Sequence, residues 1–267
     1  MTLKEAIKIL RDSGVDSPDY DARELFRVYG NLGGSLITMN SASSEKKLEE
    51  AVLRRAKREP LQYIIGRVGF YREEYTVTPD CLIPRSDTEI LVDYAVRNIP
   101  AGERFADLCS GSGCVGISTL RNTKDTVCTS FDVSDGALSL TYENARLNSV
   151  EKRITVIKKD LLTEDIDGEY FAILSNPPYI PKEVYRGLAA EIFSEPEIAF
   201  VGGDDGLIFY KKLIPVCRRV IKDGGFIAFE IGYDQAESLH ILAKENSLSC
   251  EIIKDYSGND RVAILRK

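Results

Sequence analysis

Residues 107–116 read Asp-Leu-Cys-Ser-Gly-Ser-Gly-Cys-Val-Gly (DLCSGSGCVG) and continue the apolar run RFADLC that starts at Arg104. An apolar run that ends in closely spaced glycines and is followed by VGISTL predicts a strand, a tight turn and a helix. Gly111, Gly113 and Gly116 spell G-x-G-x-x-G, the pattern of a strand-to-helix turn whose backbone approaches a nucleotide-like ligand. Taken alone, the glycines also fit a tight turn with no ligand. Downstream, TVCTSFD, ITVIKKD, FAILSN and GGFIAFEIG are further short apolar runs, mostly separated by helical segments such as SDGALSLTYENARLN and GLIFYKKLIPVCRRVI. That alternation predicts an α/β fold, a parallel sheet with helices on both faces. The chain ends differently, in CEIIKDY, the turn signal SGND and RVAILRK. Two strands joined by so short a turn must be antiparallel.

Ahead of this region the pattern is helical. Thr2 and Glu5 fit a capping box, with Leu3, Ala6, Ile7 and Leu10 at helical spacing. Ser17-Pro18 reads as a cap followed by proline at the first helical position, and Gly30 closes that second helix. A loop rich in Gly, Ser and Asn is expected to about Ser44, then a third helix from Glu45 with the basic tail RRAKRE. That tail fits a cation-rich helix C-terminus, or a contact patch for an acidic partner. GRVGFYREEYTVTP alternates as a hairpin, and Ser86 with Glu89 reads as a capping box opening a helix through Asn98. The expected domains are a helical one over 1–62, a linking hairpin over 63–80 and the α/β domain over 81–267.

Composition excludes several classes. With 43% hydrophobic and 29% charged residues, the chain has the make-up of a soluble globular protein. MTLKEAIKIL interleaves charges with its apolar positions, unlike a signal peptide, and no run reaches the roughly 18 apolar residues of a membrane span. Six cysteines without a C-x-x-C pair, and a single histidine, argue against zinc and fit reduced thiols in a cytoplasm. The net charge of −7 falls wholly after residue 80, because residues 1–80 carry 13 basic and 13 acidic side chains. An acidic larger part argues against a nucleic-acid backbone as the main partner.

Asp107 narrows the ligand. A carboxylate at the strand end repels a pyrophosphate and attracts a cation. S-adenosylmethionine has no phosphate, and its sulfonium and ammonium are both positive. Asp132, ending TSFD, suits a ribose hydroxyl. Asp160 and Leu161 follow the third run, near where an adenine would lie, although the pair also fits a solvated loop. The three acids together are consistent with S-adenosylmethionine as cofactor, which becomes S-adenosylhomocysteine on methyl transfer.

ILSNPPYIP begins at Ile173. Two adjacent prolines donate no N–H and hold the backbone near extended geometry. The segment is either a stiff turn or a clamp, with the Asn176 side-chain oxygen and the Pro177 carbonyl as two fixed acceptors for N–H groups. The whole pattern resembles class I S-adenosylmethionine-dependent methyltransferases. Asn176-Pro177-Pro178-Tyr179 is similar to the Asn/Asp-Pro-Pro-Tyr/Phe of those acting on amide or exocyclic amino nitrogens. The resemblance implies that Asn176 and Pro177 aim the acceptor nitrogen at the methyl group, that Asn176 also borders the cofactor, that Pro178 faces the acceptor and that Tyr179 covers it.

REPLQYIIGRVGFY, LIPRSDTEILVDYA, EPEIAFVGGDDGLIFYKKLI, GGFIAFEIGYDQ and DYSGNDRVAILRK further resemble the PrmC/HemK family. That family methylates a side-chain amide, the GGQ-type glutamine of peptide chain release factors. The resemblance implies that Leu82, Pro84, Arg85 and Glu89 lie beside cofactor and acceptor, although Arg85 also reads as a helix-flanking surface charge. It implies release factors as partners, docked by the N-terminal helices, and a cytoplasmic monomer that binds neither nucleic acid nor membrane. One departure is Cys109, where the family usually has glycine. Cysteine lacks glycine's freedom at positive φ, so either the position is extended here or the turn differs. A nucleic-acid amino methyltransferase and a non-catalytic binding module are the alternative classes.

Overall fold

The computed structural model describes residues 1–30 and 41–267, excluding the side chains of residues 41–43 and 190. The loop expected before the third helix lies largely outside the described residues. The chain forms two compact units, residues 1–67 with 189–194, and residues 68–188 with 195–267.

The smaller unit is helical. Helix α1 (Leu3–Asp12) opens on the expected capping box, with the Glu5 amide donating to the Thr2 hydroxyl and the Thr2 amide to the Glu5 carboxylate. Helix α2 (Pro18–Tyr29) starts on its proline and stops at Gly30, which is extended rather than left-handed. Helix α3 (Ser41–Ala56) begins four residues before the expected start, and α4 (Leu61–Ile65) is a single turn ended by left-handed Gly66. Ala6, Leu10, Ala22, Leu25, Leu48 and Val52 form the core. The basic tail of α3 is committed within this unit. Arg55 is buried against Asp21 at 2.7 Å, and Arg58 pairs with Glu191 at 2.6 Å.

The hairpin β1 (Arg67–Phe70) and β2 (Glu73–Thr76) comes next, all but its first residue in the larger unit. A 3₁₀ turn over Ser86–Thr88 leads into α5 (Glu89–Asn98). Here the expected capping box is absent. The Glu89 carboxylate accepts the Tyr71 amide of the hairpin at 2.8 Å, so a contact distant in sequence outcompetes the local cap. Next come β3 (Arg104–Leu108), α6 (Cys114–Asn122), β4 (Val127–Asp132), α7 (Asp135–Leu147), β5 (Ile154–Lys158) and β6 (Tyr170–Ser175). The short α8 (Lys182–Tyr185), α9 (Ile208–Val220), β7 (Ile221–Glu230), α10 (Ala236–Glu245), β8 (Ser249–Lys254) and β9 (Asp260–Arg266) complete it.

Seven strands form one sheet in the order β5-β4-β3-β6-β7-β9-β8. The pairings from β5 to β7 are parallel, while β9 pairs antiparallel with both β7 and β8. This is the class I methyltransferase sheet. Its central strands are apolar on both sides because helices cover both faces. Phe105, Ala172 and Phe226 pack in one core, and Ala106, Ile173 and Ile227 in the other. The order reverses between β3 and β6, which places a crevice at the carboxyl ends of the parallel strands.

Candidate active site

That crevice is a cavity of about 550 Å³. The ends of four parallel strands contribute to it: Asp107 from β3, Asp132 from β4, Asp160 and Leu161 beyond β5, and Asn176 and Pro178 beyond β6. Leu82, Pro84, Arg85 and Gly111 also line it. Gly113, Glu89, Pro177 and Tyr179 are not lining residues. Gly113 instead caps α6 in the left-handed region (φ +79°), where a Cβ would meet Ile117 and Thr141 at 2.9 Å. Glu89 is held by the hairpin, and Tyr179 packs against the sheet core with its hydroxyl donating to Glu230 at 3.3 Å.

Asp107 is 1% exposed, and its carboxylate accepts the Gly116 amide at 2.9 Å. A Cβ at residue 116 would sit 2.8 Å from that carboxylate oxygen, so the third glycine is required by close approach. Burial pushes the Asp107 pKa up to about 7. The Gly116 hydrogen bond opposes this, and the charge of Asp132 adds to it. Asp132 fixes the turn from the next strand, accepting the Gly111 amide at 2.8 Å and the Ser134 amide at 3.0 Å. Asp160 accepts the Leu162 amide and the Thr163 hydroxyl, which closes the loop beyond β5.

Cys109 lines the cavity at φ +56°, in the left-handed region. Of the two alternatives, an extended position and a differing turn, the extended one does not hold: residue 109 takes the left-handed conformation that favours glycine, with a cysteine in it. Burial drives the thiol pKa well up, so Cys109 is no thiolate nucleophile.

Sequence reasoning missed three buried polar residues. Glu195, 5% exposed, accepts the Ile83 amide at 2.8 Å and pairs with Arg85, holding the 82–85 segment against the far wall. Thr88 and Glu230 are each 2% exposed; Thr88 accepts the Asn176 side-chain amide at 3.1 Å, and Glu230 ends β7. No local pattern marks them, since their partners lie tens of residues away. The far wall, with Ile198, Val201, Ile208 and Phe209, was also unforeseen at residue level.

The cavity lining holds six acidic side chains (Asp80, Asp107, Asp132, Asp160, Glu197 and Asp204) and three basic ones (Arg85, Lys159 and Lys182). Arg85 is paired with Glu195, and Lys159 donates to the Asp165 carbonyl. An acid-rich cavity over a glycine turn suits a nucleoside carrying positive charge and disfavours a pyrophosphate. Together with the sheet order, this defines a class I methyltransferase.

Two family models match the chain, PrmC N-terminal domain over residues 2–66 and Methyltransferase small domain over residues 86–203. Release factor glutamine methyltransferase of Fusobacterium nucleatum subsp. nucleatum is 36% identical over 98% of this chain and 77% of its own. The protein of that name from Caulobacter vibrioides is 35% identical, over 96% of this chain and 91% of its own. Among solved structures, ribosomal protein L11 methylase from Lactobacillus delbrueckii subsp. bulgaricus shares the fold. Its TM-score is 0.50 at 22% identity, covering 68% of this chain and 80% of that one. The chain belongs to the release factor glutamine methyltransferase family.

Proposed function

We propose that this protein transfers a methyl group from S-adenosylmethionine to the side-chain amide nitrogen of a glutamine in peptide chain release factors. One observation carries the reading. Asn176, at the head of Asn-Pro-Pro-Tyr, lines the same cavity as Asp107 and Asp132. When bound, the cofactor supplies an electrophilic methyl group on a positively charged sulfur. Asp107 favours that positive charge, and Asp132 suits the ribose hydroxyls while bracing the glycine turn.

An amide nitrogen is a poor nucleophile because its lone pair is delocalised into the carbonyl. The chain's contribution is therefore orientation and polarisation. The Asn176 oxygen, in the cavity lining, accepts one N–H of the acceptor amide; the carbonyl of the adjacent Pro177, which is not itself a lining residue, is the acceptor proposed for the other. Proline suits both following positions because it offers carbonyls without a competing donor. Pro178, Leu82 and Pro84 give this end of the cavity apolar walls that exclude water. The helices of residues 1–62 dock the protein substrate, outside the methyltransferase domain of 81–267. A cytoplasmic monomer that binds no nucleic acid directly completes the reading.

The test is tritiated-methyl transfer to purified release factor, DNA and RNA, followed by mapping of the labelled residue. Label on a release-factor glutamine is expected. Label on nucleic acid alone would assign the site to amino groups of bases. Asn176→Ala should lower kcat about 10²–10³-fold, as loss of a preorganised polar contact does, with cofactor affinity nearly unchanged.

A further inference from the structure

Two buried residues outside the clamp meet its two ends. Thr88 lies in the 3₁₀ turn before α5, and its hydroxyl oxygen accepts the Asn176 Nδ2–H at 3.1 Å. Glu230 lies at the end of β7, where its Oε1 accepts the Tyr179 hydroxyl at 3.3 Å. Its Oε2 has no partner in hydrogen-bond geometry among the described residues. The Thr88 hydroxyl is nevertheless close enough to Glu230 to lower a carboxyl pKa that burial raises. A buried carboxylate oxygen left unpaired costs stability, so its retention here calls for an explanation.

A hydroxyl has one proton to donate. Thr88 already accepts from Asn176, so its own proton is free to point at Glu230. Tyr179 spends its proton on the same carboxyl. Two donations are seen, from the Asn176 amide to Thr88 and from Tyr179 to Glu230; turning the Thr88 proton toward the unpaired Glu230 Oε2 makes all the donors run one way. An asparagine amide can flip end for end, and only its surroundings decide which end faces where. With Nδ2 spent on Thr88, Oδ1 is the end left for an acceptor N–H.

We infer that Thr88 and Glu230 are positioning residues for methyl transfer, fixing the direction of the Asn176 amide so that its oxygen rather than its nitrogen meets the acceptor. This rests on the clamp role proposed for Asn176. The nearby charges are otherwise engaged. Arg261 on β9 is bound to Asp255 at 3.1 Å and Asp87 at 3.3 Å, and the Tyr210 hydroxyl of α9 donates to the Glu230 backbone carbonyl rather than its carboxyl. If Thr88 loses its hydroxyl, the Asn176 Nδ2 loses its acceptor and the flipped amide presents a donor to a donor.

The experiment is single-turnover methyl transfer to purified release factor by the full-length enzyme at saturating cofactor. Cofactor affinity is measured alongside by calorimetry. Thr88→Val should slow transfer roughly ten- to thirtyfold, the scale of one buried hydrogen bond expressed as a rate, with cofactor affinity within about twofold. Thr88→Ser should restore most of the rate, and Glu230→Gln should slow it.

The deciding measurement is the double variant. If Thr88 acts through Asn176, Thr88→Val adds no further loss in the Asn176→Ala background. The inference is overturned if Thr88→Val transfers at the wild-type rate, or if its penalty persists undiminished beside Asn176→Ala. Should Thr88→Val fail to fold, Glu230→Gln in the same cycle decides by the same criteria. A wild-type rate for Asn176→Ala alone would instead refute the clamp, which separates failure of the underlying reading from failure of this one.

Discussion

Cofactor binding should be coupled to the ionisation of Asp107, and the structure sets the size of the effect. Burial raises this carboxyl from its ordinary 3.8 to about 7. Below that value the group is neutral and offers nothing to a cation; above it, the charge is present and waiting. A bound cation favours the charged form, so binding releases a proton. If the occupied carboxylate stays ionised down to about pH 6, affinity should fall about eightfold between pH 7.5 and pH 6. Roughly half a proton should be released per cofactor bound near pH 7.

The folding equilibrium carries the opposite sign. The native state binds this proton more tightly than the unfolded chain does. Stability from Asp107 is therefore full below about pH 4 and is lost as pH rises through about 7, by on the order of 4 kcal/mol. A cationic ligand offsets part of that loss. The assay is isothermal titration of S-adenosylmethionine at several pH values, in buffers of different ionisation enthalpy. Asp107→Asn keeps an acceptor for the Gly116 amide and removes the charge. It should weaken binding at pH 7.5 by about ten- to a hundredfold, the scale of one charged contact, and flatten the pH dependence. Wild-type affinity that does not vary between pH 6 and 7.5, or a variant with the same slope as wild type, would refute the reasoning.

Asp132→Ala should weaken cofactor binding by roughly 1.5–3 kcal/mol, because a charged contact goes and the Gly111 amide loses its acceptor. Unchanged affinity in the folded variant, read by calorimetry, would remove Asp132 from the site. At Cys109, Gly should be tolerated within about 1 kcal/mol, because relief at positive φ offsets lost packing and chain entropy. Cys109→Val, branched at φ +56°, should cost about 2 kcal/mol or more in denaturant unfolding; equal stability of the two variants would refute the strain. Asp21→Ala should destabilise by about 2–3 kcal/mol, less than complete loss of a buried pair, because Arg55 keeps Glu191 at 3.4 Å. Urea unfolding read beside cofactor affinity checks this, with affinity expected to hold.

The sheet was legible because each strand is a short apolar run closed by a turn signal, and that rule is local. The same holds for the Thr2 capping box, where cap and partner are three residues apart. What escaped was decided at long range. The Glu89 carboxylate had two possible uses, and the hairpin amide of Tyr71, eighteen positions earlier, took it from the local cap. Glu195 reaches Ile83 across 112 positions, and no periodicity records such a pairing. Cys109 shows the limit from the other side. Its residue type left open an extended backbone or a differing turn, and the structure shows cysteine held at the positive φ of a glycine turn. The acids and Asn176 were readable because strand ends in a parallel sheet converge by topology. Glu230 ends a strand too, yet its side chain is engaged by Tyr179, and a sequence does not show which acids face a ligand.

The surplus of acids around the cavity bears on turnover as well as on binding. Six carboxyl groups against three basic side chains hold a cation better than its neutral counterpart. Methyl transfer removes one positive charge from the cofactor, so the same side chains hold the product less tightly than the reactant. Asp107 sharpens this difference because it is buried, where charge is least screened by water. Once the positive charge has gone, a carboxyl with a pKa near 7 can recover a proton and become neutral, which lowers the cost of the product leaving. Asn176 sits outside this cycle: its contacts are between neutral groups and depend on direction, not on charge. The cavity thus separates two tasks. In the proposed mechanism, carboxylates distinguish the cofactor before and after transfer, and the uncharged Asn176 clamp positions the amide that receives the methyl group.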